Sequence, residues 1–158
     1  MAEDISGFLE VVASEAKCIE RFVRLLEREK DLLTEGRTEA LAAAVEEKEA
    51  LAAKLNELTR QRGRYLVDEG FTPDREGMDA WSVRHPEQGK ALALWRRTQS
   101  LAEQAKELNR LNGQLVQLHM QYTSQALEIL SRRDGGLDLY GPDGRSTTLE
   151  GPQIDDAA

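Results

Sequence analysis

The sequence predicts an all-α fold, an antiparallel bundle of three long helices followed by a disordered C-terminal tail, and three observations carry that prediction. Apolar residues recur at steps of three and four over long segments. Glu, Ala, Leu, Lys, Arg and Gln dominate those segments, while Pro73, Pro86, Pro142 and Pro152 stand outside the strongly periodic ones. Aromatics are only 5% of the 158 residues, the composition of long helices with short connectors. That length allows one domain with a buried core, placed at residues 1–133, and the change of character after Arg133 marks residues 134–158 as a flexible acidic tail.

The first helix runs from about Asp4 to Leu33. Its seam is Ile5, Leu9, Val12, Ala16, Ile19, Val23, Leu26, then Lys30 and Leu33, widened by Phe8, Phe22, Leu25 and Leu32 to the broad stripe of a bundle helix. Gly36 suits the left-handed residue that closes a helix. So short a link forces the second helix to return antiparallel. That helix runs from about Thr38, as N-cap, to about Val67, with a seam of Leu41, Ala44, Lys48, Leu51, Leu55, Leu58, Arg62 and Tyr65. Lys48 and Arg62 interrupt the seam. Their stems are expected along the core edge with the charges reaching water, contact with an acidic partner being the alternative.

Between Asp68 and Pro86 the periodicity fails. Gly70, Pro73, Gly77 and Pro86 punctuate a segment that also holds Phe71, Met78 and Trp81, which predicts a loop pinned to the bundle by those side chains, with a helical turn near Arg75 to Ser82. Such a crossing lets the third helix run either parallel or antiparallel to the first. It opens at Pro86, the favoured first-turn position, and reaches about Arg132. Its seam is Ala91, Leu94, Thr98, Leu101, Ala105, Leu108, Asn112, Leu115, His119, Tyr122, Ala126 and Ile129. At ~1.5 Å per residue it would be ~70 Å long against ~45 Å for either of the others, so one end is expected to lack cover within the chain. Asn112 and Gly113 interrupt it, either as a register-setting polar residue with a close helix contact or as a hinge or binding notch.

The stretch from Leu111 to Leu127 contains no Asp, Glu, Lys or Arg, although 32% of the chain is charged and about five charges would be expected there. Leu111, Leu115, Leu118, Tyr122, Ala126 and Ile129 share one face, with Val116, Met120 and Leu127 roughly 120° round the cylinder. Gln114, Gln117, Gln121, Ser124 and Gln125 fill the remaining arc, so even the polar side is uncharged. Something other than water is expected to cover part of it.

Formal charge is −8, with 29 acidic residues against 21 basic ones, which argues against nucleic acid as a partner. Cys18 is the single cysteine, so an intrachain disulfide is impossible, and a plain helix residue is the expected reading. The N-terminus is acidic where a signal peptide would be basic, and no apolar run approaches the ~18 residues that would span a bilayer. A cytoplasmic protein without stable membrane insertion is expected. His85 and His119 lack metal-ligand spacing, His119 being expected as a half-buried seam residue, and no metal site or cofactor follows. No phosphate-cradling loop or nucleophile with a partner His is present, so the chain does not read as an enzyme.

The tail holds six acidic residues and one Arg among glycines and prolines. Leu137, Leu139 and Tyr140, beside the turn-forming Pro142-Asp143-Gly144, are exceptions to its polarity. They suit either a short linear docking motif or a strand or hook folded back on the bundle.

The order of four features resembles the FlgN family of flagellar export chaperones. These are Leu32-Leu33-Thr34-Glu35-Gly36 at the end of the first helix, Lys48 followed by leucines and Arg62, Asn109-x-x-Asn112-Gly113 in the last helix, and Leu139-Tyr140-Gly141-Pro142-Asp143-Gly144 in the tail. The resemblance implies a cytosolic chaperone that holds the C-terminal segments of the hook-associated proteins FlgK and FlgL, prevents their premature assembly and delivers them to the export gate component FlhA. A helix face with an uncharged rim fits that task, because it accepts an amphipathic segment through anchors at i, i+3, i+4 and i+7. Val116, Met120, Leu127 and Leu130 are the candidate anchors, Asn109 and Asn112 flank them, and Tyr140 with Leu137 and Leu139 is the candidate for the gate. The competing reading is a homodimeric coiled-coil scaffold in which residues 111–127 form the self-interface.

Overall fold

The computed structural model describes residues 2–134, 138–140 and 146–148, with side chains from residue 5 to residue 132. Its helices are α1 (Ala2–Glu35), α2 (Leu41–Asp68), α3 (Arg75–Arg84) and α4 (Gly89–Asp134), with a 3-10 turn at Thr38–Ala40. Two short strands follow, β1 (Asp138–Tyr140) and β2 (Ser146–Thr148), paired antiparallel with Leu139 opposite Thr147. The segment expected to be without regular structure therefore contains a backbone pairing. The chain divides into two compact units, Met1–Leu115 and Val116–Ala158, a division that falls inside α4 whereas the change in composition comes after it.

Two of the helix stops in the first unit, those of α1 and α2, use the same device. Gly36 (φ 72°) closes α1, its N–H donating to the Leu33 carbonyl at 3.3 Å while the Arg37 N–H donates to Leu32 at 2.9 Å. Gly70 (φ 88°) closes α2, with Gly70 N–H on the Val67 carbonyl at 3.0 Å and Phe71 N–H on Leu66 at 2.8 Å. A positive φ is cheap only for glycine, and it lets orphan carbonyls at the helix end find donors. The second stop also delivers Phe71 to the core around Leu66.

The helix starts differ from expectation. Thr38 does not cap α2; it opens the 3-10 turn, its N–H bonded to the Gly36 carbonyl at 3.1 Å, and α2 begins after Ala40 without a side-chain cap. Pro86 does not open α4 either. It sits in a turn closed by Gln88 N–H on the His85 carbonyl at 3.0 Å, and α4 starts at Gly89. In both places a tight connection uses the residues that a helix start would have claimed.

Helix directions follow from paired residues. Along α2, Lys48, Leu51, Arg62 and Tyr65 meet Glu29, Cys18, Glu15 and Phe8 of α1 in turn, so the two run antiparallel. Along α4, Arg97 and Asn112 meet Glu20 and Glu29, so α4 runs parallel to α1 and antiparallel to α2. The direction that periodicity left open is thus settled by α3, a fourth helix that turns the chain back. Asp74 caps it, the Oδ1 accepting from Gly77 N–H at 3.0 Å and from the Thr72 hydroxyl at 2.6 Å. A Cβ on Gly77 would collide with the Thr72 carbonyl oxygen, which explains the glycine. Met78 and Trp81 are fully buried, with Trp81 edge-on to Phe8 at 4.8 Å and stacked on His85 at 4.4 Å.

Three apolar clusters fill the first unit. Phe8, Val12, Leu66, Met78, Trp81 and Trp95 form the one around α3. Cys18, Leu25, Leu32, Ala44 and Leu51 join α1 to α2, and Ile19, Val23, Leu26, Leu101 and Ala105 join α1 to α4. Cys18 is buried, and burial pushes its thiol up from the usual range, away from thiolate chemistry.

One seam expectation is overturned. Arg62 does not reach water; it is 6% exposed and its Nε donates to Glu15 Oε1 at 2.9 Å, while the Thr59 hydroxyl donates to Glu15 Oε2 at 2.9 Å. The guanidinium also lies over the Trp95 ring, 4.5 Å from its centroid. Glu15 balances the arginine, so burial leaves no net charge. Glu15→Ala should cost about 3–5 kcal/mol in urea denaturation, because it strands a buried guanidinium, whereas Glu15→Leu with Arg62→Met should be neutral or stabilising. The α3 cap carries a pH dependence. Its two hydrogen bonds hold the Asp74 carboxylate below the ordinary aspartate range, so its contribution is complete above about pH 4 and is lost as pH falls through the depressed value. The protection factor of the Gly77 amide, its exchange rate relative to the intrinsic rate at each pH, should fall over that acid window, and Asp74→Ala should remove the dependence.

Candidate functional site

The α4 seam changes character along its length. Ala91, Thr98, Leu101, Ala105 and Asn112 are buried, Leu115 and His119 are half-buried, and every residue from 120 to 130 is exposed. His119 thus has the burial expected of it.

Asn112 stands at the last buried seam position, where three helices are tied together. Its Nδ2 donates to the Leu26 carbonyl at 3.0 Å and to Glu29 Oε1 at 2.8 Å. The same Glu29 oxygen receives Lys48 Nζ at 3.5 Å, and Lys48 donates to Asn109 Oδ1 at 2.8 Å. Lys48 stands at the core edge as expected, its side chain 27% exposed, and its ammonium bridges α1 and α4. A buried carboxylate needs donors, and an amide and an ammonium from two other helices supply them. The register-setting role expected of Asn112 matches this geometry. The close helix contact beside it does not appear, since a Cβ on Gly113 would meet nothing within 4 Å.

Beyond this knot lies the uncharged stretch. Val116, Met120, Leu127 and Leu130 are 42%, 67%, 42% and 48% exposed. At about 100° per residue they line one stripe. Leu118, Tyr122 and Ile129, which share the other face, are also exposed. The two stripes adjoin, so the apolar arc covers about 200° of the helix. Soluble monomers rarely leave such a surface open without a use for it. Tyr122 and Ile129 were expected on the seam, and Leu118 on the same face, rather than among the anchors; the length of α4 relative to its neighbours pointed to an uncovered end without saying which residues it held.

Charges bracket this surface. On one side Arg110 donates two hydrogen bonds to Glu107, at 2.6 and 3.1 Å, and holds that carboxylate below the usual range. On the other, Glu128 pairs with Arg132 at 2.9 Å on the polar side of the helix. Between them the rim consists of glutamines and Ser124, which form hydrogen bonds without the cost of burying an ion. Thr123 bonds back to the His119 carbonyl at 3.0 Å, turning its hydroxyl inward and its methyl to the surface.

The sequence-derived site residues thus fall into three groups. Val116, Met120, Leu127 and Leu130 come together on one exposed stripe. Asn109 and Asn112 belong to the knot, with Asn112 buried and Asn109 exposed. Leu139 and Tyr140 lie in β1, whose side chains, like Leu137 altogether, are outside the described residues. Among the described residues no helix is long and apolar enough to cross a membrane.

A family model described as FlgN protein matches residues 1–148. The flagella synthesis protein FlgN of Yersinia enterocolitica is 28% identical over 137 residues, an alignment covering 85% of this chain and 86% of that protein. The protein of the same description from Proteus mirabilis is 32% identical over 97 residues, covering 59% of this chain and 66% of that one. No solved structure gives a significant match.

Gly113 supplies the test of whether this part of α4 needs backbone freedom. With open space around it, Gly113→Ala should raise stability by about 0.5–1 kcal/mol in thermal denaturation through helix propensity alone. Unchanged or lower stability would show a conformational demand for glycine there.

Proposed function

The chain belongs to the FlgN family, and from that premise we propose that it is an ATP-independent cytoplasmic export chaperone for flagellar hook-associated proteins. Its substrates in this reading are FlgK and FlgL, held by their C-terminal segments so that they do not assemble before export. The observation that supports it is the exposed, uncharged apolar arc from Val116 to Leu130. An assembly-prone segment is itself amphipathic, and it exchanges its apolar face against such a surface through anchors spaced as on the stripe of Val116, Met120, Leu127 and Leu130. Met120 adapts its shape to more than one substrate. The glutamine rim satisfies polar groups of the substrate without an ion to desolvate.

Delivery falls to the C-terminal segment, where Leu137, Leu139 and Tyr140 would dock on FlhA while the helix holds its cargo. Two separate surfaces allow both partners to be engaged together. Neither role requires nucleotide chemistry, because capture and release are changes of partner driven by relative affinity.

Light-scattering mass tests the reading, with the protein alone and mixed with a peptide of the FlgK C-terminal segment. A stoichiometric complex is expected, and Met120→Lys should weaken it by about 2 kcal/mol or more, roughly thirty-fold, with helicity intact. No complex, together with a stable dimer that Met120→Lys splits, would make the arc a self-interface and the protein a coiled-coil scaffold.

A further inference from the structure

Four basic residues of α1 stand in one row. Lys17, Arg21, Arg24 and Arg28 follow at steps of four, three and four, which keeps them within about 60° of the helix circumference and along about 16 Å of its length. All four are exposed. Arg24 meets Glu20 at 3.8 Å, whereas the side chains of Lys17, Arg21 and Arg28 make no hydrogen bond or ion pair with another described residue. Carboxylates are in excess in this chain, and they do pair with Arg62, Arg97 and Arg110. Like charges three and four residues apart disfavour a helix, so the row works against α1 and serves no contact within the described fold.

The row borders α2 at a depression of about 170 Å³ lined by Arg21, Arg24, Leu25, Arg28 and Glu47. Leu25 is buried, and Glu47 is the single carboxylate of that lining. Three guanidiniums against one carboxylate leave a local positive excess. At physiological salt, charges beyond about 8 Å are largely screened, so the acidic remainder of the chain does not cancel that excess at contact range. The row is also bounded, because Glu10 and Glu35 occupy the same face one heptad before Lys17 and one heptad after Arg28, both exposed. A long polyanion would run onto those carboxylates. A helical segment of about three turns would not.

We propose that this face of α1 docks a short acidic helical segment of another polypeptide. Carboxylates repeating the steps of four, three and four line one face of such a helix, so each meets a cation of the row in turn. Arginine at three of the four positions suits that partner, since its planar fork donates two parallel hydrogen bonds to one carboxylate. One acidic side chain enters the depression, its methylenes on Leu25 and its oxygens accepting from Arg21 and Arg28, while Glu47 repels it from the α2 side. The site is separate from the Val116–Leu130 surface and does not depend on the chaperone reading.

The probe is an acetylated, amidated, alanine-rich helical peptide with four glutamates at steps of four, three and four. Titrated into the ¹⁵N-labelled full chain, it should give saturable shifts at the α1 amides from Lys17 to Arg28. Arg21→Gln with Arg28→Gln should weaken it about ten-fold, whereas Arg75→Gln with Arg96→Gln, the same loss of charge at exposed arginines outside the row, should change it less than about two-fold. Glu47→Gln should strengthen it about two-fold or more by removing the repelling carboxylate. A peptide of the same composition with its glutamates off that spacing should bind at least about five-fold more weakly. Absence of saturable shifts would overturn the proposal. So would equal binding of the respaced peptide or of a thymidine pentanucleotide, which would make the row a general attractor of anions, or equal losses in the two double variants. Should Arg21→Gln with Arg28→Gln lower the helicity, Glu47→Gln decides the matter alone, and weaker or unchanged binding there overturns the assignment.

Discussion

A carboxylate can be buried among helices only where other chains of atoms bring donors to it, and Glu29 meets that condition at the point where α1, α2 and α4 converge. Asn112 and Lys48 reach it from two different helices, and Asn109 completes the set through Lys48. Sliding α4 by one turn would leave the carboxylate without its amide and the amide without an acceptor. Apolar stripes alone tolerate such slips, since leucine meets leucine in several registers. The second buried pair, Glu15 with Arg62, fixes α2 against α1 in the same manner further along. Together they determine which residues of α4 lie within the first unit and which lie beyond it.

Register accounts for the location of the candidate site. The seam of α4 is apolar and regular throughout, so propensity offers no reason for its burial to end at any given residue. The polar knot holds Asn112 at the last fully buried seam position; Leu115 and His119 after it are half-buried and residues 120 to 130 are exposed. The apolar side chains from Met120 to Leu130 are no different in kind from Leu101 or Ala105; they differ in being exposed. An apolar stripe thereby becomes a candidate binding surface through the arrangement of charged and amide groups outside it.

The long helices were legible because their stripes are local, and Gly36 announced a stop because a left-handed residue is a local demand. The existence of α3 was visible in outline from Met78, Trp81 and the punctuating glycines. Its cap was less so, since Asp74 acts through a contact with Gly77 that only the folded turn creates. Thr38 and Pro86 misled for a related reason: each is favoured both in a helix start and in the turn just before one. Glu15 could not be read as buried, because its counter-ion Arg62 lies on another helix and α1 shows no break in its pattern there. Of the candidate site, the uncharged stretch was plain in composition, and the mismatch in helix lengths pointed to an uncovered end. The sorting of individual side chains into covered and exposed was not, since it follows from long-range pairing.

The exposed arc also gives the two units different kinds of stability. The first is held by contacts within itself, so its resistance to unfolding is a property of its sequence. The helical segment from Val116 to Asp134 continues a helix already nucleated in the first unit, but its residues 120 to 130 are exposed and draw little stability from packing. Its order is then a function of whatever covers it: a partner present at a hundred times its Kd adds about 2.7 kcal/mol, and a scarce one adds almost nothing. Protease resistance of that segment would accordingly report how much partner is available, while the first unit persists unchanged through empty and loaded states alike.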